Sequence, residues 1–481
     1  MRRSFVGNLF ILLLLNFLIK PFWLFGIDRT VQNTVGEEAY GRYFALIGFT
    51  IVFNIILDAG LTHYNNQSVA KRSGSLQENF TQLLSLKMLL GLIYLVVTLV
   101  IGALFGYADS NFMLLLVLTI NQFLASMILF LRSNISGLQM YRLDALLSVV
   151  DKSITILFCS LLLFTPVLGR AITVMDFALT QSLSYVLTTF LALAIVLRKG
   201  GINNYSFRVR KHGKNLKRAF PYALLILLMA LYTRIDSVML DLMVGPYYVG
   251  VYVAAFRLVD AVNQVGYLFA VLLLPLFANL LSKKIDVSPL IELNFNLILA
   301  GTMAVSLACF FYAEPLMQFL SVGAADLSAT VLRLLILSTI AFGSTFIFGT
   351  LLTASGDLKV LNIIALCGFV LNIILNFILI KQHQAYGAAI ATVVTQFATA
   401  IIQLIVSLRL FKVKFSVSAY WLRVLLFSLG AIFLAIVVNG LDFIEWPYRF
   451  AMIIVVTLFF SSIVGFFKLK EAIELVGQRF R

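Results

Sequence analysis

The stretch "VGEEAYGRYFALIGFTIVFN", Val35–Asn54, returns as "VGPYYVGVYVAAFRLVDAVN", Val244–Asn263, at a constant offset of 209 residues. Without a gap, Val35, Gly36, Gly41, Tyr43, Ala45 and Asn54 fall on Val244, Gly245, Gly250, Tyr252, Ala254 and Asn263. A weaker echo sets Ser136-Gly137 against Ser355-Gly356. The offset takes in six apolar segments, an even number, so both copies cross a membrane in the same sense. Parallel repeats of this kind pack about an axis along the membrane normal, with a substrate site where the repeats meet.

The membrane itself follows from composition. The chain of 481 residues is 61% hydrophobic and 12% charged, with a mean hydropathy of +1.01. A soluble domain is roughly half apolar and a quarter charged. Apolar runs of about twenty residues, long enough to span a bilayer, recur from end to end. They lie near 5–27, 40–62, 80–106, 110–131, 145–168, 173–197, 220–244, 251–281, 291–312, 330–353, 361–381, 385–408, 420–438 and 447–467. The fold expected is an all-α polytopic membrane protein of about 14 transmembrane helices. An N-lobe spans 1–197 and a basic linker 198–219; a C-lobe spans 220–408, and 409–481 holds two extra helices and a tail. The start, "MRRSFVGNLFILLLLNF", lacks a small-residue cleavage site and reads as a retained first helix.

Lys and Arg orient the helices. With the N-terminus inside, 24 of the 36 basic residues fall in inner segments and 6 in outer loops. Both termini are therefore expected on the cytoplasmic side. The net charge of +15 belongs mainly to this bias and to attraction for anionic lipids, not to nucleic acid.

No C-x-x-C, H-E-x-x-H or glycine-rich phosphate loop occurs. Cys159, Cys309 and Cys367 stand singly in apolar runs and read as inert buried thiols. Neither a cofactor nor a metal is expected, and no acid/base or nucleophile constellation argues for an enzyme.

Charges inside the apolar runs are the functional signal, because each costs about 2.5–3.5 kcal/mol at the centre of a bilayer. Arg234, Asp236, Asp241, Arg257 and Asp260 lie within Leu231–Asp260, with Lys20 at a depth similar to that of Arg234 and Lys152 nearer the inner face. Arg234 and Asp241, seven apart, share a helix face, and Arg257 and Asp260, three apart, can pair locally. For Arg257 and Lys152, structural pairing and function weigh equally. Arg234 and Lys20 have no acidic residue three or four positions away, which favours function. Lys87 and Arg423 lie close enough to the inner interface to snorkel and receive no role.

"GPYYVGVYVAA" after "TRIDSVMLDLMV" resembles the seventh and eighth helices of polysaccharide flippases of the multidrug/oligosaccharidyl-lipid/polysaccharide (MOP) exporter superfamily. "LNIILNFILI", Leu371–Ile380, followed by "YGAAIATVVTQ", Tyr386–Gln396, is similar to that superfamily's eleventh and twelfth helices. The likeness covers nearly the whole chain and is nearest to Wzx-type flippases. It implies two six-helix lobes in a V, alternating access, and an undecaprenyl-pyrophosphate-linked sugar repeat as cargo in the bacterial cytoplasmic (inner) membrane. The first repeat departs from the second: "FGIDRTV" stands where "YTRIDSV" does, so Asp28 and Arg29 inherit no ion-pair role.

On this reading Lys20, Arg234, Arg257 and Lys152 would line a cleft and receive the pyrophosphate, since phosphate calls for positive charge and several donors. Asn54, Asn263, Asn372, Asn376 and Gln396 would line it for sugar hydroxyls, and Asp58 and Asp236 are candidates for ion coupling. The alternatives are a lipid II flippase and a cation-coupled multidrug exporter of the same superfamily. A monomer is expected, with polysaccharide polymerase machinery as a candidate partner.

Overall fold

A computed structural model describes residues 18–71, 75–107, 111–165, 169–200, 213–321, 323–411 and 417–466. Among these residues every regular element is helical, and ten helices are long and apolar enough to cross a membrane. The chain divides into two compact units, 1–250 and 251–481. The basic linker expected at 198–219 falls largely outside the described residues, as do the first helix up to residue 17 and the tail from 467.

Among the described residues of the first unit, a helical turn at 18–21 passes into a π-helical segment, Phe22–Asp28, just after Pro21, and continues as α1, Arg29–Val35. Pro21 has no N–H to give the ladder, and wide-turned segments of this kind often mark functional sites. Gly36, at φ +86°, stops α1 and starts α2, Glu37–Val52. Gly245, its counterpart in the repeat, takes φ +102° between α9, Gly213–Val244, and α10, Pro246–Ser282. Only glycine adopts such angles without steric cost. The repeated glycine thus makes the same break in both copies. The weaker echo is not repeated in the backbone: Gly356 is left-handed at φ +87°, whereas Gly137 ends a helix packed on Val69.

The expected second membrane helix is broken twice. After α2 come a turn at Phe53 and the short α3, Asn54–Asp58. Ala59 at φ 42° and Gly60 at φ 83° then end α3 before α4, Leu61–Lys71. α5, Ser75–Leu104, α6, Phe112–Gly137, α7, Tyr141–Phe164, and α8, Val174–Gly200, complete the six expected spans. α9 packs along α2 and so joins this unit.

In the second unit α10 is followed by α11, Ser288–Phe311, α12, Ala313–Leu320, α13, Ala325–Leu335, and α14, Ser338–Ser355. α15, Leu358–Leu410, holds both the eleventh and the twelfth expected helices, separated at Gln384, where φ is 48°. The reversal is tight: a Cβ on Gly387 would stand 2.2 Å from the Leu379 carbonyl oxygen. α16, Val417–Asn439, and α17, Trp446–Ile463, lie outside the duplicated twelve but share their core. Phe427, Ala431 and Ile453 pack in one cluster with Phe295, Ile298 and Phe348 of α11 and α14. The opposite face of α16 exposes Leu422, Leu425, Leu426, Leu429 and Phe433, the stripe a helix presents to lipid. Cys159 and Cys309 are buried as expected, but Cys367 is exposed on α15.

Candidate functional site

Four helices of the first unit bring Lys20 and Lys152 into one cationic site. Lys152, on α7, holds its ammonium 5.0 Å from the ring centre of Trp23 and 5.5 Å from that of Tyr185. It donates to the Tyr185 hydroxyl at 3.4 Å and lies 3.7 Å from Asp151. Lys20 shares this electrostatic environment with Lys152, Asp151 and Arg132. No acidic residue lies three or four positions from Lys20 in the sequence, and Asp151 attracts it across space. Asp28 also attracts Lys152. Arg132 is answered by Asp144 at 2.8 Å, which leaves Lys20 and Lys152 facing Asp151 and Asp28 beside aromatic rings. The two ammonium groups and the ring faces together offer donors and a stacking surface to an anion that carries a sugar.

Arg234 does not pair with Asp241, the residue one helical repeat along. Its guanidinium lies 5.0 Å from the ring centre of Phe44. Phe44 stacks with Tyr40 at 6.4 Å, and the Tyr40 hydroxyl donates to Asp28 at 2.7 Å. Aromatic contacts thus connect Arg234 with the carboxylate that attracts Lys152. Trp23, Phe44 and Tyr185 were not singled out from sequence, and Asp28 was given no ion-pair role, because an aromatic or acidic residue in an apolar helix gives no sign of the distant cation it meets.

Asp241 has another partner. Arg42 of α2 approaches both carboxylate oxygens, at 3.0 and 3.1 Å, and Tyr107 donates at 2.8 Å. The carboxylate is fully buried and Arg42 keeps 31% of its side-chain surface exposed. Burial, and then the Asp241 carboxylate, push the Tyr107 hydroxyl well above the ordinary phenol range, against the opposing pull of Arg42. Tyr107 therefore remains a donor. At the same end of the unit Gln32 donates to the Gly250 carbonyl at 3.1 Å. Gln32 and Asp241 are repeat equivalents, each held at a helix crossing.

Asp58 and Lys87 depart from what sequence suggested. Lys87 does not snorkel. Its ammonium is fully buried and donates to the Leu57 carbonyl at 2.8 Å, the Asp58 carboxylate at 3.1 Å and the Ser126 hydroxyl at 2.7 Å. Asp58 also accepts from the Thr62 N–H at 3.3 Å and from its hydroxyl, which caps α4. Arg423 is exposed on α16. Asp236 is buried on α9, and Asn54, half-buried, has a side-chain oxygen enclosed without a hydrogen-bond partner.

The other expected residues belong to the second unit. Arg257 is buried on α10, with Asn263 half-buried further along it. Asn372, Asn376 and Gln396 are buried on α15, where the Asn376 amide donates to the Asn372 oxygen at 3.0 Å. Tyr43 and Tyr252, repeat equivalents, also meet comparable partners. Gln181 of α8 donates to Tyr43 at 2.6 Å, and Tyr252 shares a 3.1 Å bond with Thr392 of α15.

Among solved structures, the fold is similar to that of the lipid II flippase MurJ in an inward closed conformation. That match has a TM-score of 0.71 at 16% identity and covers 94% of this chain and 98% of the other. A multidrug resistance MATE family transporter of the MOP superfamily, inward-facing, matches with a TM-score of 0.62 at 17% identity over 81% and 94% of the two chains. A MOP superfamily transporter from Pyrococcus furiosus, noted for the reversed polarity of its binding pocket, matches at 0.62 and 16% identity over 85% and 95%. An uncharacterized membrane protein of Methanocaldococcus jannaschii is 23% identical over 398 residues, 79% of this chain and 92% of its own. The family model for polysaccharide biosynthesis proteins matches residues 5–281, more than half of the chain. A helical membrane fold shared with MOP transporters, built on a duplicated glycine-bounded motif, is the setting of that match, and the chain belongs to the polysaccharide biosynthesis protein family.

Proposed function

We propose that this transporter is a flippase for undecaprenyl-pyrophosphate-linked oligosaccharide repeats, carrying them from the cytoplasmic to the outer face of a bacterial inner membrane by alternating access. The observation that supports this reading is the grouping of Lys20 and Lys152 with the aromatic faces of Trp23 and Tyr185. A pyrophosphate needs cationic donors in a low-dielectric site, and the adjoining aromatic faces suit sugar rings. Arg234 and Arg257 would extend the anion-binding surface. Asn54, Asn263, Asn372, Asn376 and Gln396 would serve sugar hydroxyls, and Asp236 would serve ion coupling. The N-lobe at 1–197, linker at 198–219, C-lobe at 220–408 and appended helices at 409–481 form the working division. The unit acts as a monomer with both termini in the cytoplasm, among anionic lipids and beside polysaccharide polymerase machinery.

The test is transport in inverted membrane vesicles loaded with a fluorescent lipid-pyrophosphate oligosaccharide. Lys152→Ala and Lys20→Ala should each lower the flipping rate at least tenfold with normal membrane insertion. Wild-type rates in both variants would overturn the reading. A second reading, lipid II as cargo, draws on the fold similarity to the lipid II flippase. Competition between the two lipids in the same vesicles separates them.

A further inference from the structure

The break between α3 and α4 leaves backbone oxygen inside a membrane protein without its helical donor. With Ala59 and Gly60 both left-handed, Leu57 is cut off from the next turn, and its carbonyl turns to a side chain instead. The donor found there is a whole cation. The Lys87 ammonium has three N–H bonds and meets three oxygens: the Leu57 carbonyl, one Asp58 carboxylate oxygen and the Ser126 hydroxyl, at 2.8, 3.1 and 2.7 Å. A carbonyl released by a broken helix, a carboxylate and a hydroxyl make up the donor set that membrane transporters offer to small monovalent cations. Here the cation is part of the chain.

We infer that Lys87 is a tethered monovalent cation, filling a site at the α3–α4 break that would otherwise bind potassium or ammonium from solution. The site spans α3, α5 and α6, so its occupant holds the broken helix to its neighbours. Covalent attachment makes that hold independent of ions in the medium. Oxygens placed at ammonium distance suit potassium and ammonium, which are close to it in size, ahead of the smaller sodium. Asp58 retains 28% of its side-chain surface, which gives an ion a route once the lysine is gone. This assignment stands apart from the cargo proposed above, since it concerns no residue of the Lys20–Lys152 site.

The experiment is thermal unfolding of the purified full-length protein in detergent, in potassium, ammonium or choline chloride at equal ionic strength. Wild type should melt at the same temperature in all three. Lys87→Ala should melt lower in choline and recover part of the loss in potassium and ammonium. Adding Asp58→Asn to it should abolish that recovery. Lys87→Met, which fills the space without a charge, should be destabilised equally in every salt. Equal melting of Lys87→Ala in potassium and choline would overturn the site. If that variant cannot be recovered from membranes, Lys87→Met decides: a wild-type melting temperature for it would show that no cation is needed there.

Discussion

Gly41 and Gly250 lie where no side chain fits between their helices: a Cβ built on Gly41 would stand 2.7 Å from the Gly250 nitrogen and 1.9 Å from the Pro246 carbonyl oxygen. The contact is reciprocal, since a Cβ on Gly250 would stand 2.2 Å from the Glu37 carbonyl oxygen. Glu37 and Pro246 are repeat equivalents, as Gly41 and Gly250 are. Each glycine therefore packs on the counterpart of its own upstream neighbour. The aligned glycines of the sequence repeat meet in the first unit at a backbone-to-backbone crossing.

Because backbone cannot yield as a flexible side chain can, Gly41→Ala and Gly250→Ala should each destabilise the protein by about 1–3 kcal/mol or more. Both substitutions separate the same two helices. The double variant should then cost little more than either single one, the non-additivity expected of groups in contact. Chemical or thermal denaturation in detergent measures all three. Fully additive losses would mean that the two glycines do not share one contact.

The buried Asp241 makes the Arg42 pair sensitive. Arg42→Ala leaves an enclosed carboxylate with Tyr107 alone, a change costing toward the lower end of about 3–5 kcal/mol given the partial exposure of Arg42. Tyr107→Phe should cost about 1–3 kcal/mol, the range for removing a donor from a buried acceptor. Combining Arg42→Ala with Asp241→Asn should recover part of the first loss. No recovery in that double variant would show that Arg42 acts through packing and not charge.

Tyr107 also sets a pH dependence. Its folded-state hydroxyl titrates above the unfolded phenol, so its contribution is complete below the unfolded value near 10 and is lost as the pH rises beyond it. Melting temperature should fall between about pH 10 and 11, and Tyr107→Phe should flatten that part of the curve. An unchanged slope in the phenylalanine variant would dismiss the assignment.

Hydropathy and periodicity gave the polytopic helical fold, and the repeat aligned Gly36 with Gly245, where the structure makes equal breaks. Both signals are local or translational, so a single chain displays them. Lys87 illustrates what such signals omit. Judged by depth it could reach the inner interface, but its position is decided by the carbonyl freed at Ala59 and Gly60, thirty residues away. The run "LDAGLT" did carry a trace of the break, an acidic cap and a glycine inside an apolar segment. Lys20 shows the reverse error. No acidic residue stands three or four positions from it in the sequence, yet Asp151 attracts it from α7.

Topology is checked by cysteine labelling in a background without Cys367, whose exposure would otherwise give a signal. Glu37 and Ser328 are buried and make poor probes. Exposed Arg170 and Asp442 are better ones for the outer side, and Lys284 and Lys359 for the inner side. A membrane-impermeant maleimide added to intact cells should label the first two and not the last two. Labelling of position 284 from outside would reverse the orientation drawn from the Lys and Arg bias.

The charge series separates an anionic-lipid carrier from a cation-coupled exporter. Lys20→Ala and Lys152→Ala remove positive charge beside Trp23, and Arg234→Ala removes the cation over Phe44. For an anionic cargo all three should reduce flipping strongly while insertion is kept. Arg234→Lys should retain part of the activity if a point charge suffices, and little if the flat guanidinium on Phe44 is required. Asp236→Asn should be mild under this reading and severe in an exporter that loads protons or sodium on carboxylates. Asp58→Asn no longer discriminates by activity alone, because it strips the buried Lys87 of its counter-charge. Its loss should appear as a lowered melting temperature before any change in transport per folded molecule. The ratio of transport to folded protein is therefore the quantity to compare across the series. Full transport by a Lys20→Ala/Lys152→Ala double variant, with Asp236→Asn inactive, would transfer the argument to the exporter.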